Sequence, residues 1–441
     1  MVAGTVSFRD RAPSRSTATD ATVRHLEPER GRIKLSKNMS LTGRSAFHLL
    51  AKPTGAICNL NCRYCFFLSK EDLYPGSSFR MSDELLETYL AQYLDSQMGP
   101  EINIAWQGGE PTLMGLDFFR RAASRANALK RQGTRVLHTM QTNGVLLDDE
   151  WCTFFAENDF LVGLSIDGPR EMHDAYRVDK GDKPTFDKVM RGLSLLQKHR
   201  VEVNVLTTVH AANAGHPAQV YRFLRDQANA RFIQFIPIVE RKNTTGFQEG
   251  SEVTERSVTG AQFGAFLNGV FDEWILHDVG TVFVQMFDVA LAAWAKQPTG
   301  LCVFSETCGN ALALEHNGDL YSCDHFVEPK HRLGNIKKRH MALLANGDQQ
   351  RKFGRHKLDS LPKQCRECDV RFACHGGCPK DRFIETSDGE PGLNYLCDGY
   401  KAFFRHVDGP MKEMTELLTR GRPPAEVMRA RRATRPDDVP P

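Results

Sequence analysis

The chain has 441 residues, 41% hydrophobic and 25% charged, which suits an ordinary globular protein of two or three domains. Lys plus Arg number 57 and Asp plus Glu 54, so the net charge of +3 by itself argues neither for nor against a nucleic-acid partner, while no basic stripe stands out. No apolar run reaches the roughly 20 residues of a membrane helix, and the polar start lacks the apolar core of a secretory signal. The expected setting is the cytoplasm, with neither nucleic acid nor membrane as a partner.

Residues 1–43 are rich in Arg, Ser and Thr without periodicity and read as a disordered extension. Short apolar runs then recur at Phe47–Ala51, Ile102–Trp106, Val136–Met140, Leu161–Ile166, Val201–Val209 and Phe232–Val239. Stretches of helical period separate them: Asp83–Gln97, Leu116–Arg131, Asp149–Glu157, Phe186–His199 and Pro217–Gln227. Strands alternating with helices predict βα units and a parallel sheet, and six such units predict an α/β partial barrel over residues 44–260. Residues 261–300 read as a helical bridge. Residues 301–405 are rich in Cys and Gly and poor in periodic segments, as expected of a region folded around metal. Residues 406–441 read as a helix and a loose tail.

The twelve cysteines are clustered: three lie between 58 and 65 and eight between 302 and 397, with Cys152 alone. Cytosolic thiols stay reduced, so clustering points to metal and not to disulfides. Cys58, Cys62 and Cys65 supply three thiolates in one loop. A four-iron cubane held by three thiolates keeps one iron open to a small molecule. A zinc site short of its fourth ligand, or bystander thiols, would have the same spacing. Gly108-Gly109-Glu110-Pro111 follows the second strand, where the glycines allow close approach to a ligand and Glu110 is placed to accept from an amine. Tyr64 is placed to pack on a purine. Thr142-Asn143-Gly144 and Ser165-Ile166-Asp167-Gly168 end the third and fourth strands and offer polar atoms to a ribose, although such runs are also ordinary turn chemistry.

The Cys58–Cys65 run CNLNCRYC and the GGEP run resemble the radical S-adenosylmethionine superfamily. The resemblance implies that the open iron chelates the methionine moiety of S-adenosylmethionine, and that one electron then yields a 5′-deoxyadenosyl radical. It places Gly108, Gly109 and Glu110 beside the amino group and Ser165 beside the ribose. Arg177 is the candidate for the carboxylate.

The later cysteines follow Cys302-x5-Cys308-x14-Cys323 and Cys365-x2-Cys368-x5-Cys374-x3-Cys378-x18-Cys397. Eight thiolates complete two closed clusters or two structural zinc sites, and spacing does not choose between them. The run Cys308-x9-Gly318-x4-Cys323 with the later spacings resembles the SPASM extension of radical enzymes. That resemblance implies a SPASM domain binding two auxiliary [4Fe-4S] clusters, three clusters in all. It assigns Cys302, Cys308, Cys323 and Cys378 to one auxiliary cluster and Cys365, Cys368, Cys374 and Cys397 to the other. Cys152 fits neither and reads as a buried helix thiol.

Lys52-Pro53-Thr54, Trp106-Gln107 before the GGEPT run, and Leu320–Phe326 followed by Leu333-Gly334-Asn335-Ile336 resemble the anaerobic sulfatase-maturating enzymes. These oxidise a Cys or Ser side chain of a sulfatase to Cα-formylglycine without oxygen. The implied partners are an unfolded or nascent sulfatase polypeptide and an electron donor such as flavodoxin or ferredoxin. The implied base for the proton that the substrate radical must lose is Asp324, and Gln107 is the candidate for orienting the substrate backbone. The alternative is another peptide-modifying radical enzyme of this architecture, forming a thioether or carbon–carbon cross-link.

Overall fold

A computed structural model describes residues 46–433 of the chain. The extension over residues 1–43 and the end of the C-terminal tail lie outside the described residues.

Six strands lie side by side and parallel in chain order: β1 (His48–Lys52), β2 (Glu101–Trp106), β3 (Arg135–Thr142), β4 (Phe160–Ser165), β5 (Glu202–Val209) and β6 (Phe232–Pro237). The crossovers carry α1 (Asp83–Ser96), α2 (Leu116–Leu129), α3 (Asp149–Glu157), a short α4 (Arg170–Asp174), α5 (Phe186–Lys198) and α6 (Pro217–Arg222). Local chemistry sets where several of these helices begin. Ser82 accepts from Leu85 N at 3.2 Å to start α1, and Asp148 accepts from Trp151 N at 2.9 Å to start α3. The expected helix over Pro217–Gln227 changes after Arg222 to a π turn, Phe223–Gln227.

Alternation along the strands sorts side chains to two faces. Leu49 and Ala51 of β1 and Ile102, Ile104 and Trp106 of β2 join one core with Leu85 and Tyr89 of α1 and Phe118 and Phe119 of α2. The Trp106 ring meets Tyr89 at 5.8 Å and Phe119 at 5.5 Å. The opposite, inner face carries polar residues, among them Lys52, Gln141 and Gln234. A barrel filled for stability alone would place apolar side chains there.

The bridge is two helices, α7 (Gly260–His277) and α8 (Gln285–Trp294), separated by a turn and the two-residue strand β7 (Phe283–Val284). The cysteine-rich region then adds sheet that the sequence pattern did not predict. Strand β8 (Ala311–Glu315) pairs parallel with β1, and β9 (Asp319–Tyr321) and β10 (Arg332–Asn335) follow antiparallel. One ten-stranded sheet results, ordered β10-β9-β8-β1-β2-β3-β4-β5-β6-β7.

Beyond it come α9 (Met341–Ala345), α10 (Asp348–Asp359), α11 (Lys363–Arg366), α12 (Arg371–Cys374), the hairpin β11 (Arg382–Glu385) with β12 (Pro391–Asn394), α13 (Cys397–His406), α14 (Asp408–Thr419) and α15 (Val427–Ala433). Helix α13 lies directly on α7. A Cβ on Gly264 would sit 2.7 Å from Gly399 Cα, so only glycine permits that approach. Residues 427–433 are helical where a loose tail was expected, because Val427 is buried in the main core. Among the described residues no helix is long and apolar enough to cross a membrane.

Candidate active site and cluster ligands

The first cysteine loop leaves the C-terminal end of β1, the edge at which parallel α/β sheets gather their chemistry. Cys58, Cys62 and Cys65 are half-buried and close enough for the charge of each of the other two to raise the Cys58 thiol. Burial is the larger cause, pushing Cys58 up to about 12 and Cys62 up to about 11, and it raises Cys65 as well. Such thiols hold their protons until a metal displaces them, so loading this site releases protons.

The GGEP loop is welded to the cysteine loop. Gly109 N donates to Gly55 O at 2.7 Å, and Glu110 N donates to Ile57 O at 2.9 Å. A Cβ on Gly109 would stand 2.0 Å from Ile57 O. The Glu110 carboxylate is buried and accepts from Thr112 N at 3.1 Å, Thr112 Oγ1 at 2.7 Å, Thr142 Oγ1 at 2.8 Å and Asn143 N at 2.8 Å. Burial raises its carboxyl, against those bonds. Asn143 Nδ2 donates to Asn59 Oδ1 at 2.7 Å, so the third strand's loop also reaches the cysteine loop. Glu110, expected to meet an amine, is thus also the clamp for three loops.

Asp167, read from the sequence only as part of a run offering polar atoms to a ribose, is a hub. It accepts from the Tyr64 hydroxyl, from Arg177 Nε at 2.8 Å and from Thr208 N at 2.9 Å. Burial opposes its charge, but the Arg177 guanidinium together with His210 and His173 holds the carboxyl far below the ordinary range. Tyr64 stacks on His210, with ring centroids 5.8 Å apart, and Arg177 lies 5.6 Å over the Tyr64 ring. The candidates Tyr64 and Arg177 therefore belong to one buried ion-paired group. Ser165 Oγ accepts from Gln141 Nε2 at 2.9 Å.

Several buried polar atoms along the inner face have no hydrogen-bond partner: Gln107 Oε1, Gln141 Oε1, Thr208 Oγ1 and both amide atoms of Gln234. Unpaired buried polar atoms are costly, and a row of them on one face suits a polar ligand such as S-adenosylmethionine with a peptide. Of this row only Gln107 was legible beforehand. The others are recognisable once strand parity is known.

The eight later cysteines fall into two groups. The charge of Cys302 raises Cys308, and the charges of Cys302 and Cys378 raise Cys323. Separately, Cys397, Cys365 and Cys368 raise Cys374. The structure thus places Cys302, Cys308, Cys323 and Cys378 near one another, and Cys365, Cys368, Cys374 and Cys397 near one another. Burial is again the larger cause, pushing Cys374 and Cys378 up to about 12. A cavity of about 1230 Å³ beside Trp294 and Phe372 reaches Cys302 and Cys308. Among the described residues no three His, Cys, Asp or Glu side chains converge on a point suited to a single ion. All twelve cysteines are free, and Cys152 is buried in α3, as expected.

Asp324 follows Cys323 and is 3% exposed. Lys52 Nζ lies 2.5 Å from its Oδ1 and 3.8 Å above the centre of the Phe67 ring. Burial opposes the Asp324 charge, but Lys52 and His325 together hold the carboxyl below its ordinary range.

Known proteins share these features. Residues 53–224 match the Radical SAM superfamily, and residues 302–369 match the iron–sulfur cluster-binding SPASM domain. The chain is 45% identical over 393 residues to the serine-type anaerobic sulfatase-maturating enzyme of Bacteroides thetaiotaomicron, covering 87% of this chain and 94% of that protein. It is 34% identical over 366 residues to the cysteine-type enzyme of Clostridium perfringens, covering 81% and 95%. The solved structure of native anSMEcpe with bound AdoMet and Cp18Cys peptide superposes with a TM-score of 0.76 at 32% identity, covering 85% of this chain and all of that one. SuiB bound to its precursor peptide SuiA, from Streptococcus suis, shares the fold at a TM-score of 0.56 and 14% identity. Fold and site together define a radical S-adenosylmethionine oxidoreductase with a SPASM domain, an enzyme of S-adenosylmethionine and [4Fe-4S] clusters. Within that class, the chain belongs to the anaerobic sulfatase-maturating enzymes.

Proposed function

We propose that Asp324 is the base in this family's reaction, the oxygen-independent oxidation of a Cys or Ser side chain in a sulfatase to Cα-formylglycine. The observation that carries the assignment is the position of Asp324: a buried carboxylate directly after Cys323, ion-paired with Lys52, the last residue of β1. When bound, S-adenosylmethionine and the clusters supply the radical that removes a Cβ hydrogen and an acceptor for the electron that must follow.

The chain's own residues prepare the rest. Cys58, Cys62 and Cys65 hold the cluster with the open corner. Cys302, Cys308, Cys323 and Cys378 hold one auxiliary cluster, and Cys365, Cys368, Cys374 and Cys397 hold the other. Gly108, Gly109, Glu110, Ser165, Tyr64 and Arg177 form the S-adenosylmethionine site. Gln107, with an unpaired buried amide oxygen, orients the substrate backbone. Asp324 takes the O–H or S–H proton of the target side chain, which with loss of one electron leaves the aldehyde from Ser or a thioaldehyde from Cys; water then converts the thioaldehyde to the aldehyde with release of sulfide. The polypeptide acted on is an unfolded or nascent sulfatase, and a small redox protein such as flavodoxin or ferredoxin supplies the starting electron.

Anaerobic incubation with sulfatase-motif peptides carrying Cys or Ser, read by mass spectrometry, tests this. Wild type gives the aldehyde, with no ring formed. Asp324→Asn keeps all three clusters and makes 5′-deoxyadenosine, but formylglycine falls by about 100-fold or more. Wild-type yield from that variant would rule Asp324 out as the base.

A further inference from the structure

We propose that Lys52 is a positioning residue for the reaction: it holds Asp324 Oδ1, leaving Oδ2 as the oxygen that takes the hydroxyl or thiol proton of the target side chain. The inference rests on the reading of Asp324 as the base.

Lys52 is the last residue of β1 and points to the inner face, between the first cysteine loop and the SPASM hairpin. It is 1% exposed, and its ammonium meets Asp324 Oδ1 at 2.5 Å. Taking a lysine out of water for stability alone is a poor bargain, since apolar residues of similar volume usually serve as well. Its choice of partner is selective. In the β1–β8 register Lys52 stands opposite Glu315, an equally buried carboxylate. Glu315 instead faces His316 Nδ1 at 3.3 Å. The lysine therefore reaches past its sheet neighbour to the residue after a cluster ligand.

The Phe67 ring, 3.8 Å beneath the ammonium, limits where the lysine can swing. With Lys52 fixed by strand and ring, the carboxylate plane of Asp324 is fixed too. Proton transfer needs heavy atoms within hydrogen-bond reach, so an anchored oxygen is worth more than a rotating one. A second lysine, Lys70, is also buried close by, but its ammonium donates to Gly246 O at 2.8 Å and is already engaged.

The test compares reconstituted wild type, Lys52→Met, Lys52→Arg, Asp324→Asn and the double variant Lys52→Met/Asp324→Asn on one sulfatase-motif peptide. The readouts are kcat, peptide KM and 5′-deoxyadenosine made per formylglycine. Lys52→Met is expected to lower kcat about 100-fold with KM unchanged, and to raise 5′-deoxyadenosine per product. Lys52→Arg, which keeps the charge, is expected to recover at least about a tenth of wild-type kcat. The double variant is expected to be no slower than Asp324→Asn alone, because both changes break one unit. Lys52→Met with kcat within twofold of wild type, a loss confined to KM, or additive losses in the double variant would each overturn the proposal. Should Lys52→Met not fold, the kcat-against-KM split in Lys52→Arg decides, and the double variant leaves no unpaired charge. An active Asp324→Asn would instead overturn the base assignment itself. An inactive Asp324→Asn beside a wild-type-like Lys52→Met would overturn only the role of Lys52.

Discussion

The carboxylate of Glu110, on the loop after β2, accepts the backbone amide of Asn143, on the loop after β3, at 2.8 Å. That bond ties two strand ends to one buried charge, beside Cys58. Glu110→Gln keeps the volume but turns one acceptor oxygen into a donor, which faces the Asn143 amide or the Thr142 hydroxyl. Expected are a loss of about 1–3 kcal/mol in stability and a weaker hold on S-adenosylmethionine. Calorimetry and equilibrium dialysis check the two effects separately.

Gly109→Ala attacks the same corner through shape. Its Cβ would overlap Ile57 O, a backbone atom that cannot swing away. The expected product binds less iron, by one cluster's worth, with the auxiliary clusters intact. Iron analysis with electron paramagnetic resonance of the reduced protein would show it.

Cys58→Ala and Cys397→Ala separate the two kinds of cluster. The first is expected to lose both 5′-deoxyadenosine and formylglycine. The second is expected to keep 5′-deoxyadenosine formation while formylglycine declines. Chromatography of the nucleoside beside peptide mass spectrometry distinguishes them, and equal behaviour of the two variants would contradict the assignment of open and closed sites.

His138 gives a pH dependence unrelated to catalysis. It is buried, stacks on Phe160 at 4.8 Å and accepts from Trp106 Nε1 at 3.4 Å. Burial lowers its pKa to about 4. Below the ordinary value the unfolded chain takes up a proton that the native state refuses. The stabilisation is therefore full above about pH 6.5 and declines as pH falls to 4, by up to about 3 kcal/mol. His138→Gln is expected to flatten this part of the curve, so its melting temperature should fall less than that of wild type between pH 6.5 and 5.

Removing iron is expected to loosen one region first. Around the Cys365 group the local apolar cluster consists of Leu361, Cys365 and Leu393, too few to hold a fold without metal. Hydrogen exchange after chelation should rise across residues 361–397 while the amides of β2 to β5 stay protected. Uniform loosening would mean that the barrel also depends on metal.

How much was legible in advance follows from range. The six barrel strands showed because each buries an apolar face within a few consecutive residues. Strands β8 to β10 did not, since they are five, three and four residues long and owe their pairing to β1, far away in sequence. Cluster ligands were legible as spacings, but their interleaving depends on tertiary contact and came only from resemblance. Gln141 and Gln234 escaped because a buried polar residue leaves no periodic signature, and Asp167, read only as part of a run offering polar atoms to a ribose, showed its role as a hub only through contacts distant in sequence. The α15 helix was hidden by its arginines and by Pro423 and Pro424, with Val427 as the deeply buried anchor.

The pairing of β8 with β1 has a consequence for dissecting the enzyme. β1 is an interior strand only because the SPASM hairpin covers it. A truncation ending near residue 300 would bare a row of N–H and C=O groups on β1, a ready template for aggregation. The radical-generating half and the cluster-bearing half are thus woven on one warp. They cannot be traded between relatives as cassettes, and the spacing between their metal sites is as stiff as the sheet itself.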